Sequence, residues 1–273
     1  MTKFILSAFG DEISPHLDEQ ILVLLANDIH YLEFRGMEGR GIIDYPLPAV
    51  IAAYKKLNDA GIAVSAVGSP IGKIPITEAF APHLERFSKT IDTAHALHTP
   101  YIRMFSFYMP GEDGSKDTSV RYRDEVLKRW RRFVETARGS GLTLLHENEK
   151  GIYGDTAERC LDLLDSLNCP YVKATFDPAN FVQCGEETYP RAFEILRKHI
   201  AYLHIKDAHA ADGTVVPAGQ GDGKLPEILS SLAQSGYEGF LSIEPHLNAS
   251  LPGGGPELFG IAANALKEIL KSL

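Results

Sequence analysis

Cysteine is scarce in this 273-residue chain. Cys160, Cys169 and Cys184 form no CxxC pair and no even-numbered framework. A disulfide scaffold and a cysteine-rich zinc module are therefore excluded, and a reduced, intracellular protein is the simplest expectation. Long apolar runs are missing as well: no stretch reaches the ~18 residues that a membrane span requires. The N-terminal MTKFILSAFGDE turns charged after a short apolar stretch and shows no small-residue cleavage pattern, so the expected location is cytoplasmic. Positive charge is also in deficit. Lys and Arg total 27 against 36 Asp and Glu, giving a net charge of −9 and a pI of about 5.6. A duplex-binding protein gathers Lys and Arg against phosphates, so the expected partner is a small molecule, with no nucleic acid and no membrane. A small phosphorylated substrate stays open, because it needs only one local positive pocket.

What is present is ordinary for a globular protein: 44% hydrophobic and 23% charged residues. Short apolar runs alternate with longer amphipathic ones. The predicted strands are Lys3–Phe9, Tyr31–Arg35, Ala63–Gly68, Tyr101–Ser106, Leu142–Glu147, Val172–Asp177, Ile200–Ile205 and Phe240–Glu244. The first helix is expected from Ser14-Pro15, an N-cap followed by proline at the first helical position. The second runs from Pro46 to Ala60 and stops at Gly61. The others span Thr77–Leu97, Ser119–Arg138, Thr156–Leu167, Tyr189–Lys198, Lys224–Ser235 and Pro256–Leu270. Strict alternation implies a parallel sheet with crossover helices, and eight units close into a (β/α)8 TIM barrel. The rival, an open doubly wound sheet, would carry a glycine-rich nucleotide turn after the first strand; Ser7 to Glu12 is not one. No linker divides the chain, so residues 1–273 read as a single α/β domain.

Barrel strands are buried on both faces and should be apolar, yet here many end in charge. Active sites of barrels lie at that C-terminal face. The last four strands end in HEN, FDPAN, LHIKD and SIEPH, which supply Glu147, Asp177, His204 and Glu244. Taken singly, each has an ordinary alternative: Asp177 before Pro178 also reads as a helix N-cap, Glu147 as a loop charge, His204 as a core histidine. As a set on four successive strands, ~4.8 Å apart, they converge on one point. Three carboxylates in one pocket repel, and a divalent cation is the usual remedy. Three oxygen donors and one imidazole favour Mn²⁺ or Mg²⁺; Co²⁺, Zn²⁺ and Fe²⁺ are also compatible.

The strand-end set, with LLHEN, YLHIKDA and the segment PAGQGDGKLPEILSSLAQSGYEGFLSIE, resembles the sugar isomerase/epimerase superfamily of xylose isomerase-like TIM barrels. That resemblance covers essentially the whole chain and is strongest from about residue 142 to 246. It implies that Glu147, Asp177, His204 and Glu244 are metal ligands and that Glu147 and Glu244 double as the acid/base pair. The implied reaction is isomerisation or epimerisation of a small ketose, aldose or sugar phosphate through a cis-enediolate. A dehydratase acting on a keto-inositol would use the same site. An endonuclease IV-like phosphodiesterase would need extra histidines on strands two to four, and strands two and three have none. A non-catalytic sugar-binding barrel is countered by the intact ligand set. Many epimerase-like members carry a histidine three residues after the Asp ligand and an arginine six after the His ligand; here these positions are Asn180 and Ala210, with His209 and Lys206 as nearby substitutes. Homo-oligomers are common among proteins of this resemblance.

Four positions are candidates for substrate contact: Glu33, Asn180, Lys206 and His209. Glu33 would hold a sugar hydroxyl or pair with Arg35 or Arg103. Lys206 would polarise a substrate oxygen or pair with Asp207. His146 would stand behind the ligands. The loops Gly219 to Gly223 and Gly253 to Gly255 precede helices, where glycine loops cradle phosphate or serve as flexible turns. Phe9, Phe105, Phe107, Tyr108 and Phe181 are candidates for an apolar wall against a sugar face.

Overall fold

In the computed structural model, which describes residues 3–111 and 116–273, eight parallel strands close into a barrel. They are β1 (Lys3–Phe9), β2 (Tyr31–Phe34), β3 (Ala63–Gly68), β4 (Tyr101–Met104), β5 (Thr143–Glu147), β6 (Val172–Phe176), β7 (Ile200–Ile205) and β8 (Glu238–Ile243). Each strand pairs with its sequence neighbours and β1 closes on β8. The helices are α1 (Leu17–Ala26), α2 (Leu47–Asp59), α3 (Phe80–Ala96), α4 (Lys116–Thr136), α5 (Ala157–Leu167), α6 (Pro178–Gln183), α7 (Phe193–Leu196), α8 (Leu225–Gln234) and α9 (Gly255–Lys271). The main core lies between strands and helices, where Leu24, Val50, Leu57, Phe87, Phe133, Leu163, Phe193, Leu229 and Phe259 are all buried. No helix among the described residues is long and apolar enough to cross a membrane.

The barrel interior is less apolar than expected. Ser7, Ser65, Tyr202 and Ser242 are buried, and Ser65 Oγ meets both Ser7 Oγ at 2.6 Å and the Tyr202 hydroxyl at 2.8 Å. Strand side chains alternate faces, so residues two positions further on share that inward face: Phe9, His204 and Glu244 stand one layer closer to the C-terminal mouth. Two register shifts, at Leu32/Glu33 and at Ala174/Thr175, fall beside the site. Such irregularities re-aim the side chains that follow.

Several local expectations are corrected. Helix α1 starts at Leu17 behind His16, not at Pro15. Ser14 instead closes a turn by accepting from the His16 N–H at 3.1 Å. Glu38 Oε1 accepts from the Leu17 N–H at 3.2 Å, so the acceptor at this helix start comes from a short hairpin, Gly36–Met37 with Arg40–Gly41, that follows β2. The helix expected over Tyr189–Lys198 shrinks to the four residues of α7, because Tyr189 is extended before Pro190, as residues preceding proline tend to be. The end of α5 follows the expected pattern: Thr156 caps it by accepting from the Arg159 N–H, and Asn168 closes it in the left-handed conformation.

Candidate metal centre and active site

Strands β5 to β8 and the residues just past them bring Glu147, Asp177, His204 and Glu244 together at the C-terminal mouth. All four are buried, and one ligand atom from each lies within 4.8 Å of the others. His204 Nδ1 is 3.2 Å from Glu147 Oε1, 3.7 Å from Asp177 Oδ2 and 4.0 Å from Glu244 Oε2. Donors each about 2.1 Å from a single ion lie roughly 3 to 4.4 Å apart, so the spacing suits one divalent cation. His204 Nδ1 and Asp177 Oδ2 are buried and make no well-aligned hydrogen bond, only ion-pair contacts with Glu147 and Lys206, so a cation could draw on both.

Asp177 caps a helix and also joins the cluster. Its Oδ1 caps α6 by accepting from the Asn180 N–H at 2.9 Å, while Oδ2 faces His204 and Lys206. Asn148 fixes it from the neighbouring strand: Nδ2 donates to the Asp177 carbonyl and Oδ1 accepts from the Asp177 N–H, each at 2.9 Å.

The electrostatics differ from the expectation of three repelling carboxylates. Cations already stand among them. Arg103 Nη1 is 2.8 Å from Glu147 Oε2, and Lys206 Nζ is 2.9 Å from Asp177 Oδ2 and 2.8 Å from Glu244 Oε2. Arg35 reaches Asp11 and Glu12, each at 2.6 Å, and Glu244 at 3.1 Å. Repulsion is therefore largely offset by the chain itself, and the case for a metal rests on the convergence of the four side chains. Burial pushes the Glu147 carboxyl up, but His204 and Arg103 outweigh it and hold it below the usual carboxylate range. Burial likewise opposes Glu244, and Lys206, His246 and His204 draw it below its ordinary value. Burial disfavours a charged His204, yet Glu147 and Glu33 hold it above the ordinary histidine value. The pocket is thus arranged to keep a positive charge at Nδ1, a proton or a metal. A second group, Glu12, Glu244 and His246, has similar spacing, but the Arg35 guanidinium already contacts both of its carboxylates.

The candidate substrate contacts fare unequally. Lys206 lines the cavity above the cluster together with Glu147 and Glu244. It does not pair with Asp207, whose carboxylate accepts four backbone N–H groups, those of Ala208, Gly219, Gly221 and Gly223. That also overturns the phosphate-cradle and flexible-turn readings of residues 219–223, because the glycine N–H groups are already committed. Glu33 is fully buried, 3.1 Å from His204 Nε2 and 3.9 Å from Arg103 Nε. It stands behind the histidine and does not line the cavity. Arg35 pairs with other carboxylates, so of its two expected partners only Arg103 is near. Asn180 is buried and donates to Glu147 Oε1 at 3.2 Å and to the Asn148 carbonyl at 2.9 Å, so it positions the Glu147 carboxylate. His209 is exposed, lies on the second short hairpin and is not part of the cavity wall. His146 Nε2 meets Ser106 Oγ at 2.9 Å and its ring packs on Trp130, outside the barrel. Of the aromatic candidates, Phe105 lines the cavity, and Phe9 packs edge-on against His204; Phe107 and Phe181 belong to the core.

The cavity measures about 200 Å³ and is walled by Arg35, Lys73, Arg103, Phe105, Lys206 and His246 besides its carboxylates. Sequence reasoning missed Asp11, Glu12, Lys73, Glu149 and His246. Asp11 and Glu12 lie in the 3-10 turn just past β1, and a search extended a few residues beyond the strand end would have found them. Lys73 lies on a loop beyond β3, where no periodic signal exists.

A family model described as xylose isomerase-like TIM barrel matches residues 17–269. Among curated proteins, the chain is 26% identical over 115 residues to MJ1311, an uncharacterized protein of Methanocaldococcus jannaschii, and the match spans 41% of this chain and 39% of that protein. Solved structures with the same fold include IOLI with a binding zinc atom (TM-score 0.77, 16% identity, 98% of each chain). A D-tagatose 3-epimerase-like protein superposes with TM-score 0.76 at 16% identity over 99% of each chain. The probable 3-DHS dehydratase AsbF of Bacillus anthracis gives 0.75 at 17% identity, over 98% of this chain and 99% of that one. At such identities the structural likeness speaks for the fold alone. The family match spans nearly the whole barrel, and the chain belongs to the xylose isomerase-like TIM barrel family.

Proposed function

We propose that this protein is a divalent-metal-dependent isomerase or epimerase of a small sugar or sugar derivative. The observation that carries the reading is the convergence of Glu147, Asp177, His204 and Glu244 beside a cavity that two of them line. The donor set suits Mn²⁺ or Mg²⁺. Bound there, a divalent ion would polarise a substrate carbonyl and its neighbouring hydroxyl and acidify the adjacent C–H. Glu147 and Glu244 are both held ionised, so each is ready to accept a proton. One removes the proton beside the carbonyl to give a cis-enediolate and is itself left protonated. It returns that proton to the neighbouring carbon for isomerisation, whereas epimerisation needs the other carboxylate to take up a proton from solvent and deliver it to the opposite face of the same carbon. Arg103 and Lys206 steady the two carboxylates as their charge changes. Glu33 orients His204, and Asn180 orients Glu147.

One observation favours a second reading. The Lys206 ammonium lines the cavity beside Glu244, placed to protonate a departing β-hydroxyl, which would make the reaction a dehydration. Both readings meet one experiment. The Mn²⁺-loaded protein is incubated in D₂O with a panel of ketoses, aldoses and keto-inositols. Deuterium at a single carbon supports proton transfer, and loss of water identifies the lyase. No exchange in any compound, at full metal content, would overturn the enediolate mechanism. Metal analysis of His204→Ala and Glu244→Gln tests the ligands: full occupancy in both variants refutes the assignment.

A further inference from the structure

The cavity contains a cation that the proposed reaction does not use. Lys73 lies on the loop after β3, and its Nζ stands 4.2 Å from the centroid of the Phe105 ring. The Arg103 guanidinium carbon stands 4.7 Å from that same centroid. Two cations thus share one aromatic ring, and all three residues line the cavity. The ring attracts each cation; Lys73 and Arg103 each hold one carboxylate, Glu149 and Glu147, and a substrate carboxylate in the cavity they both line would be attracted by both. Arg103 Nε is buried, makes no hydrogen bond and stands 3.9 Å from Glu33 Oε1, so the guanidinium is not saturated by its carboxylates. Lys73 is paired with Glu149 at 2.8 Å, with the two side chains 30% and 21% exposed. A pair so accessible to water is exchangeable.

The loop that carries Lys73 is fixed in place. The Gly72 N–H donates to His83 Nε2 at 2.7 Å. The carbonyls of Ile71, Gly72 and Ile74 accept from the N–H groups of Phe105, Phe107 and Tyr108 at 2.8, 3.0 and 3.0 Å. Gly72 has φ +93°, and a Cβ there would fall 2.0 Å from the Phe105 carbonyl oxygen, so the approach requires glycine. Lys73 is therefore bound to the segment that carries the ring, and little ordering is left for a ligand to impose.

We propose that Lys73 and Arg103 bind a carboxylate of the substrate, which makes the substrate a small polyhydroxy or keto acid and not a neutral sugar. This rests on the reading of the cavity as the substrate site. A volume of about 200 Å³ lies below the ~300–1,000 Å³ of drug-sized sites, which suits an acid the size of one sugar unit. A guanidinium fork and an ammonium match a carboxylate well. The usual barrel route to phosphate uses backbone N–H groups of late loops, and here those of Gly219, Gly221 and Gly223 are taken by Asp207.

The test uses three molecules that share one ring and differ at its last carbon: D-glucose, D-glucuronate and D-glucose 6-phosphate. Binding to the full chain is measured by calorimetry with and without Mn²⁺, for the wild type, Lys73→Met and Glu149→Gln. Glucuronate is expected to bind about tenfold tighter than either other compound, as one charge-assisted contact allows. Lys73→Met should remove that preference. Glu149→Gln, which takes away the internal competitor of Lys73, should strengthen glucuronate binding. Equal binding of glucose and glucuronate, tighter binding of the phosphate, no binding of glucuronate, or a preference that survives in Lys73→Met each overturns the proposal. Loss of Mn²⁺ binding with the glucuronate preference intact would instead overturn the metal-centre reading, because Lys73 and Phe105 are not among its ligands.

Discussion

Replacing Asp207 by alanine removes one acceptor from four backbone N–H groups. Ala208 and Gly223 donate to Oδ1 at 2.9 and 2.8 Å, and Gly219 and Gly221 donate to Oδ2 at 2.9 and 3.1 Å. The four donors differ in what they do next. Ala208 and Gly223 are buried, Gly221 is half-buried and Gly219 is exposed. The outer two can turn to water; the inner two cannot. A buried donor left without a partner costs about 1–3 kcal/mol, so the inner pair together loses roughly 4 kcal/mol. For a chain of this size 1 kcal/mol is worth ~2–4 °C in Tm, and Asp207→Ala should melt about 10 °C below the wild type. Asp207→Asn has the same shape and retains an acceptor for the inner pair, but a neutral one whose hydrogen bonds are roughly half as strong as a carboxylate's, so it should lose about half as much. Thermal melts followed by circular dichroism measure both. Hydrogen exchange at Gly221 and Gly223 locates the change, and both amides should lose protection in the alanine variant. Asp207→Ala melting within ~2 °C of the wild type, or Asp207→Asn melting lower than the alanine variant, would refute the reasoning.

Glu33→Gln weakens the acceptor for the His204 Nε2–H, which leaves Nδ1 facing the ligand oxygens. Mn²⁺ affinity should fall ~10–100-fold, as for other groups that orient a metal-bound histidine, and an unchanged Kd by calorimetry refutes the role. Lys206→Met removes the ammonium that meets Asp177 Oδ2 and Glu244 Oε2. Mn²⁺ affinity should rise about tenfold or more, and an equal or weaker Kd shows that ammonium and ion do not compete for those oxygens. Burial, with Arg86 and Arg129 beside it, lowers His83 to about 4 from an ordinary 6.5. Between those values the unfolded chain binds the extra proton, so this contribution is complete above about pH 6.5 and is lost as pH falls toward 4. His83→Gln retains an acceptor for the Gly72 N–H and should flatten the fall in urea midpoint between about pH 6.5 and 4.5. Some slope remains from His146, which burial holds near 3. A variant whose midpoint falls as steeply as the wild type's refutes the contribution.

The barrel and the cluster of four strand-end side chains were legible because both depend on local pattern. Runs such as Lys3–Phe9, Ala63–Gly68 and Ile200–Ile205 have their predicted bounds in the structure. The four side chains of the cluster come from adjacent strands, so their convergence needs only the strand order. What escaped depends on barrel closure. Arg35 on the β2 side reaches Glu244 across 209 positions of sequence, and Arg103 turns to Glu147. Both arginines stood in view, Arg35 just past β2 and Arg103 within β4, but their partners were set by the closed ring. The acceptor at the start of α1, Glu38, belongs to a hairpin too short to show a period.

The glycine loop was ambiguous for a chemical reason. Backbone N–H groups converge in the same way on a phosphate or on an internal carboxylate, and G-x-G-x-G spacing is common to both. The position of Asp207 removes the ambiguity. His204 and Lys206 are two residues apart, so strand alternation sends both toward the barrel axis and turns Asp207 away. A lysine on the axis between β6 and β8 must meet the strand-end carboxylates on either side, which are Asp177 and Glu244. The adjacent aspartate, facing outward and fully buried, must then find donors in whatever loop packs on it. Applied one residue beyond the last ordered strand position, the same period that identified His204 separates the roles of Lys206 and Asp207 and assigns the glycine N–H groups to the protein itself.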